Sequence, residues 1–308
     1  MIMRLKQKGY RLLFRLSRFL CGVYAKLAMS KDEPSDNLMT FFSRMFFFSL
    51  HGYWPHIKKP RTFSEKTFHR MLYSRDSKLT LVSDKLLVRD YVKEKVGDSI
   101  LIPLLWKGKN PKDIPYEILP TRFVIKTNHG CQYNIFITDK ESVDKKAIED
   151  KLNKWLKTNY FFHVSKGFTW GYKNIEPMIL IEAFLEENQN PPLDYKFFCF
   201  SGRVEFLLIT YDRFSYHREK HFTRDFVPLD LWNGSDQYPG PFVRPIGLDK
   251  MIDTSEVLST EFDFVRVDLY NIKGKIYFGE LTCYPAGGWC PFKPRTWDFV
   301  FGEKWEIK

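Results

Sequence analysis

From Arg122 onward, apolar positions recur in short alternating runs separated by turn residues. This predicts strands at Arg122–Thr127, Tyr133–Thr138, Met178–Phe184, Tyr195–Phe200, Val204–Tyr211, Phe264–Asn271 and Lys275–Leu281. Ser201-Gly202 and Lys273-Gly274 fall between such runs and predict hairpin turns. Helical spacing dominates earlier. Thr62-Phe63-Ser64-Glu65-Lys66 reads as a helix start capped by Thr62 or Ser64, with Glu65 in the first turn. The helical pattern continues through Arg70–Tyr73, and a further helix over Ser83–Lys95 ends near Gly97, before a short strand at Ile100–Leu105. Helices are also expected at Val143–Thr158 and Leu248–Thr260. The sum is an α+β chain with largely antiparallel sheets, in two blocks that meet near residue 185. The expected segments are 1–31, a helical region with one strand over 32–120, and blocks at 121–185 and 186–308.

The first segment has its own pattern. Arg4, Lys8, Arg11, Arg15 and Arg18 fall on one narrow helical face, and Leu5, Leu12, Leu16, Phe19 and Val23 gather about 90° away. Such a helix can lie in a membrane interface, pack on its own domain with a solvated basic face, or bind an anionic polymer. Lys31–Asn37 reads as a polar linker, and the aromatic run Phe41–Phe48 as a buried helix or an interfacial element.

Charge sharpens this division. Of the net charge of +11, residues 1–31 contribute eight cations and no acid, which leaves +3 for the rest. A nearly balanced body argues against a nucleic-acid-binding domain. The five cysteines are scattered without a C-x-x-C pair, so neither a zinc site nor a disulfide framework is indicated. No run approaches the length of a membrane-spanning helix, and basic residues interrupt any signal-peptide core. The expectation is a cytoplasmic protein, with a peripheral contact at the inner face of the plasma membrane if residues 1–31 bind lipid.

Candidate chemistry is concentrated in the last hairpin. Alternation puts Arg266, Asp268 and Tyr270 on one face of its first strand, and Phe278, Glu280 and Thr282 on one face of its second. With a turn near Asn271–Lys275, Asp268 and Glu280 become neighbours. Two carboxylates so placed repel unless a cation separates them, and hard oxygen donors suit Mg²⁺. Spacing alone leaves a surface ion pair with Arg266 equally open. Lys126 ends an apolar strand and leads into Thr127-Asn128-His129-Gly130-Cys131-Gln132-Tyr133-Asn134, a polar loop able to cradle phosphate, although a solvated strand-end lysine is the plainer reading. Ile179–Glu187 is an apolar strand that breaks into an acidic linker before Asp194-Tyr195-Lys196.

In order, these segments resemble the ATP-grasp superfamily, and more closely its TupA-like branch, named for a protein of teichuronopeptide synthesis. The resemblance is carried by Phe63-Ser64-Glu65-Lys66, Asp84-Lys85, Tyr195–Phe200, Asp212-Arg213-Phe214 with His217-Arg218, Val265–Tyr270 and Phe278–Pro285. It implies an ATP-grasp fold, two α+β subdomains around ATP, with a reduced and mostly helical N-terminal region. It further implies phosphate contacts from Lys85, Lys126 and the loop containing His129 and Gly130. Glu182, Ala183, Phe184 and Leu185 would form the adenine hinge. Glu187 or Asp194 would accept from the ribose, with Lys196 beside the nucleotide.

Asp268, Glu280 and Thr282 would bind Mg²⁺, while Arg266 would support the reacting acyl phosphate. Arg213 would meet the γ-phosphate or a carboxylate substrate, and His217 would serve as base for an amine; as a loop histidine, His217 also reads as simply exposed. Three departures stand out. Thr282 occupies a position where the superfamily commonly has Asn, Cys131-Gln132 replaces small residues in the phosphate loop, and the N-terminal α/β domain is reduced.

The implied activity is ATP-dependent amide formation between an amine, such as an amino acid, and a carboxylate-bearing sugar or polysaccharide. A kinase of a sugar or polysaccharide precursor and a glycosyltransferase are the alternatives, although no D-x-D motif is present for the latter.

Overall fold

The computed structural model describes residues 36–307, apart from 163–167, 188, 189 and 213–215, together with 15–17, 19, 20 and 23. The helix expected over 1–31 therefore lies mostly outside the described residues. The described helices are α1 (Asp36–His51), α2 (Phe63–Tyr73), α3 (Ser77–Ser83), α4 (Leu87–Val96), α5 (Lys145–Leu156), α6 (Leu248–Ser259) and α7 (Thr296–Lys304). The strands are β1 (Leu104–Gly108), β2 (Phe123–Thr127), β3 (Asn134–Ile137), β4 (Ile179–Ala183), β5 (Asp194–Phe200), β6 (Arg203–Tyr211), β7 (Arg218–Thr223), β8 (Asp236–Gln237), β9 (Phe264–Ile272) and β10 (Lys275–Thr282).

They form two sheets. The first has the order β1-β4-β2-β3, and the second β10-β9-β5-β6-β7-β8. All pairings are antiparallel except β7 with β8. The chain leaves the first sheet at Ala183 and enters the second at Asp194. The first sheet also recruits β1 from the segment assigned to the helical N-terminal region, because its backbone groups need the open edge of β4.

Both expected hairpin turns are present, and their chemistry accounts for them. Ser201-Gly202 and Lys273-Gly274 are two-residue loops with positive φ throughout (47° and 82°, 51° and 87°), the geometry that matches the twist of paired strands. Asn271 steadies the second by accepting from Gly274 N at 2.8 Å. At the start of α2, Thr62 is the cap. Its Oγ1 accepts from Glu65 N at 3.1 Å, and Glu65 accepts in return from Thr62 N at 3.2 Å. Ser64 instead bonds Asp298 of α7, through both its N–H and its hydroxyl at 2.9 Å.

The helix expected over Ser83–Lys95 is two helices. Asp84 ends α3, and its carboxylate accepts from Leu86 N and Leu87 N at the start of α4, which breaks the helix and sets Lys85 in the corner. The strand expected at Ile100–Leu105 begins four residues later, at Leu104, after Pro103. Strands β7 and β8 and helix α7 went unread, being polar or short in periodic signal.

Alternation gives the second sheet two different faces. Tyr195, Phe197 and Cys199 of β5 pack with Met251, Ile252 and Leu258 of α6. Phe198 and Phe200 point to the opposite side, where Phe206, Phe264 and Phe301 form an aromatic core under α7. Phe206 and Phe301 stack at 4.0 Å. Asp194 and Lys196 share this second face with Phe198 and Phe200, so one surface is aromatic at one end and charged at the other. The first sheet buries Phe123, Ile125, Ile179 and Ile181 against Ile148 and Leu152 of α5.

His221 of β7 is 1% exposed, and its Nε2 has no hydrogen-bond partner among the described residues. Burial lowers its pKa from the usual 6.5 to about 3. The unfolded chain therefore takes up a proton near neutral pH that the folded chain refuses, and stability falls as pH drops below 6.5. This group should lower the unfolding free energy by about 2 kcal/mol between about pH 7.5 and about pH 5. Denaturant titrations at the two values should show that loss, and His221→Phe, beside the Phe206 ring, should show a shallower pH dependence.

Candidate active site

A cavity lies between the two sheets. Arg122, Lys126, Asn134, Phe136, Glu182, Ala183, Phe184, Leu185, Pro191, Pro192 and Tyr270 are among its lining residues, and its volume is about 330 Å³. One wall is apolar, suited to a planar base, and the other ends in charge. Lys126 donates to Glu182 Oε2 at 2.6 Å from the neighbouring strand. Arg89 of α4 holds the other oxygen, Oε1, at 3.0 Å, while its second nitrogen donates to Ile102 O at 2.8 Å. Glu182 is thus a buried carboxylate with two cations, and it points Lys126 along the cavity. Glu187 pairs with Asn190 through backbone hydrogen bonds of 2.7 and 3.0 Å, folding the linker so that Pro191 and Pro192 reach the cavity.

Lys85, at the corner between α3 and α4, lines an adjoining pocket with Lys126, Glu182 and Glu280. Its ammonium donates to Gly130 O, its N–H donates to Asn128 O at 3.2 Å, and burial lowers its pKa. The loop after Lys126 is firmly packed. Asn128 bonds Asp84, Glu176 O and Met178 N at 2.7 to 3.0 Å. A Cβ on Gly130 would meet the Tyr133 and Tyr160 rings at 2.8 Å, so the glycine is required by close approach. The His129 side chain turns inward to Trp155 O at 3.0 Å, away from Lys85 and Lys126.

The carboxylate pair is built by a bulge. Asp268 and Glu280 are direct cross-strand partners, and the register shifts between Phe278 and Glu280. Simple alternation would have put Phe278 beside Glu280; instead Gly279 is the extra residue and Phe278 pairs with Leu269 in the core. A Cβ on Gly279 would lie 2.9 Å from Asp268 O. Glycine is therefore what lets the bulge close on the Asp268 backbone.

Arg266 binds both oxygens of Asp268 at 2.6 Å and reaches Glu280 Oε1 and Thr282 Oγ1 at 3.2 Å. Thr282 donates to Glu280 Oε1 at 2.9 Å. From β5, Lys196 lies 3.5 Å from Asp268 and is also ion-paired with Asp194. Burial pushes the Asp268 carboxyl up to about 6 even though Arg266 and Lys196 oppose it. Burial acts on Glu280 in the same sense, but Arg266, Lys85 and Thr282 outweigh it and hold that carboxyl below its usual value. The Glu280 side chain is 44% exposed to the cleft, and its Oε2 has no hydrogen-bond partner among the described residues. Arg266 Nη1 is likewise without a partner there.

The structure thus gathers Lys85, Lys126, Gly130, Glu182, Asp194, Lys196, Arg266, Asp268, Glu280 and Thr282 around one cleft, with Ala183, Phe184 and Leu185 on its apolar wall. It does not bring His217 there. That side chain is exposed and bonds Glu219 Oε1 at 3.1 Å next to β7, three strands from β9 and so about 14 Å across the sheet. Arg213 lies outside the described residues. Arg89 and Gly279 are additions that sequence reasoning passed over. A lone glycine within a strand pattern is a bulge signal, whereas Arg89 meets Glu182 across 93 residues and carries no local mark.

A model of the TupA-like ATP-grasp family matches residues 65–306. The chain belongs to this family. No curated protein matches it significantly. Among solved structures it is similar to D-alanine–D-alanine ligase from Bacillus anthracis complexed with ATP, at 12% identity over 67% of this chain and 55% of that one, TM-score 0.38. It is similar to phosphoribosylamine–glycine ligase from Thermotoga maritima at 13% identity, over 70% and 52% of the two chains, TM-score 0.39. It is also similar to N5-carboxyaminoimidazole ribonucleotide synthetase from Thermus thermophilus at 10% identity, over 87% and 68%, TM-score 0.40. The chain spans about half the length of the first two. The α+β fold of this TupA-like chain is the ATP-grasp fold, with the two sheets facing each other across the cleft.

Gly279→Ala is expected to destabilise the fold by about 1–3 kcal/mol through overpacking at the bulge. It should also weaken nucleotide-induced thermal stabilisation more than Ile118→Ala, at a residue that is 83% exposed. Paired melting curves with and without ATP check both effects.

Proposed function

We propose that this ATP-grasp chain is an ATP-dependent carboxylate–amine ligase that forms an amide bond through an acyl phosphate. The observation that carries the reading is the cross-strand pair of Asp268 and Glu280, spanned by Arg266, with Glu280 lining a pocket together with Lys85, Lys126 and Glu182. Family membership supports the ATP half of the reaction.

The residues fit Mg²⁺. The donors are hard oxygens, with Glu280 Oε2 open to the cleft, and Asp268 and Thr282 beside it. No cluster of three His, Cys, Asp or Glu that could hold a metal occurs among the described residues, so protein ligands would be few and phosphates and water would complete the shell. When bound, Mg²⁺ would supply charge neutralisation for the β- and γ-phosphates.

The chain's own residues supply the rest. Lys126, aimed by Glu182 and Arg89, and Lys85, at the corner, would bind phosphate oxygens, and Lys85 would exchange its Gly130 carbonyl for that contact. A substrate carboxylate oxygen attacks the γ-phosphorus, the bond to the β-phosphate oxygen breaks, and ADP leaves. An amine then attacks the acyl carbon, and inorganic phosphate departs as the amide forms. Burial works against the charge on Arg266, but Asp268, Glu280 and Asp194 outweigh it and keep the guanidinium protonated. Its free Nη1 would stabilise the oxyanion of the tetrahedral intermediate.

For substrates we propose an amino acid or related amine and a uronic acid of a cell-surface polysaccharide or its precursor. This follows the family's association with such polymers and the ease with which the cationic cleft would hold a carboxylate. ADP release should appear only when a uronic acid and an amino acid are both present, with a product heavier than the sugar by one amino acid less water. A product carrying one added phosphate would replace the ligase by a kinase, and sugar transfer from a sugar nucleotide would replace it by a glycosyltransferase. Asp268→Asn should lower turnover by about a hundredfold or more, while Lys126→Met should chiefly raise the KM for ATP.

A further inference from the structure

Helix α1 has two apolar faces. Met39, Phe46 and Phe47 pack inward with Ile57, Phe68 and Leu72. Leu38 and Phe41 point out, Phe41 with 50% of its surface exposed. Trp54, 49% exposed, lies beside Phe48 at a centroid distance of 6.2 Å. Lys58, Lys59 and Arg61, all exposed, follow it directly. Upstream, the helical residues Leu16, Phe19 and Val23 are exposed while Ser17 is buried. The described apolar residues of this flank therefore face outward.

Single exposed apolar side chains are ordinary, but these recur beside cations in two successive segments. The partner must be both apolar and anionic. A second copy would set the eight cations of residues 1–31 against eight like charges. A soluble anionic polymer would leave Phe19, Phe41 and Trp54 uncovered. An acidic phospholipid surface satisfies both, taking the aromatic rings at headgroup level and the lysines and arginines against phosphate. No described helix is long and apolar enough to cross the bilayer, so the contact would be peripheral.

We propose that residues 1–31, the outward face of α1 and Trp54 bind the surface of a bilayer that contains anionic phospholipid. The inner side of α1 fastens this surface to the catalytic unit. His51 Nε2 bonds Gly288 O at 2.8 Å, and Phe46 packs on Trp289 at 4.4 Å, in the turn that follows Thr282. The proposal is independent of the ligase reading.

The full chain should sediment with phosphatidylcholine vesicles containing phosphatidylglycerol. Retention should be about tenfold weaker on phosphatidylcholine alone or at about 0.5 M salt. Phe41→Asp combined with Trp54→Asp should weaken it similarly, with only a small change in melting because each side chain already has about half of its surface exposed. Replacing Arg4, Lys8, Arg11, Arg15 and Arg18 by Gln should do the same, and carries the test if the aromatic variant fails to fold. Asp268→Asn should bind vesicles as the parent does, which separates this outcome from failure of the ligase reading. No binding to anionic vesicles, or binding unchanged in both variants, overturns the proposal. So does a dimer that the aromatic substitutions dissociate, or heparin binding without vesicle binding.

Discussion

Five charged side chains are crowded onto three adjacent strands. Asp194 and Lys196 of β5, Arg266 and Asp268 of β9, and Glu280 of β10 form a row in which every charge has an opposite neighbour. Burying such a row costs several kcal/mol per ion unless geometry and hydrogen bonds offset it. The upward pressure on Asp268 is the visible residue of that cost. The surrounding structure exists in good part to hold the row in place: the aromatic core beneath α7 anchors one end of the sheet face, and the α6 core covers its back. The divalent cation proposed for the open oxygen of Glu280 would relieve the same repulsion.

The opposite wall solves a similar problem by a different route. Glu182 lies within an apolar strand and would be costly alone, yet Lys126 and Arg89 each take one of its oxygens. The carboxylate thereby becomes a rigid bracket for Lys126. Asp84 plays a comparable part at the corner, where it breaks one helix, starts the next and holds Asn128. Lys85 is placed by that break, since a continuous helix through Ser83–Lys95 would have given it a different direction. The lysine-bearing side of the cleft is thus held by the buried carboxylates of Glu182 and Asp84.

Much of this was open to reading in one dimension. The strands after Arg122, the Ser201-Gly202 and Lys273-Gly274 turns and the Thr62–Glu65 cap follow from alternation, turn chemistry and short-range hydrogen bonding, which act between near neighbours. The ordered phrases from Phe63 to Pro285 carried the family as well. Those signals are local, and sequence determined them by itself.

What only the tertiary structure decided concerns partners far apart in the chain. The bulge at Gly279 turns Phe278 into the core because Leu269 and Ile100 wait there, and alternation has no term for an extra residue. Arg89 finds Glu182 across 93 residues, and β1 joins β4 because an edge with unpaired backbone groups must be covered. His129, read as a phosphate contact, turns toward Trp155, and His217 stays with Glu219 at the far strand, because burial and local pairing outbid the roles suggested by their positions. Sequence determined which residues could do the chemistry; long-range packing decided which of them meet.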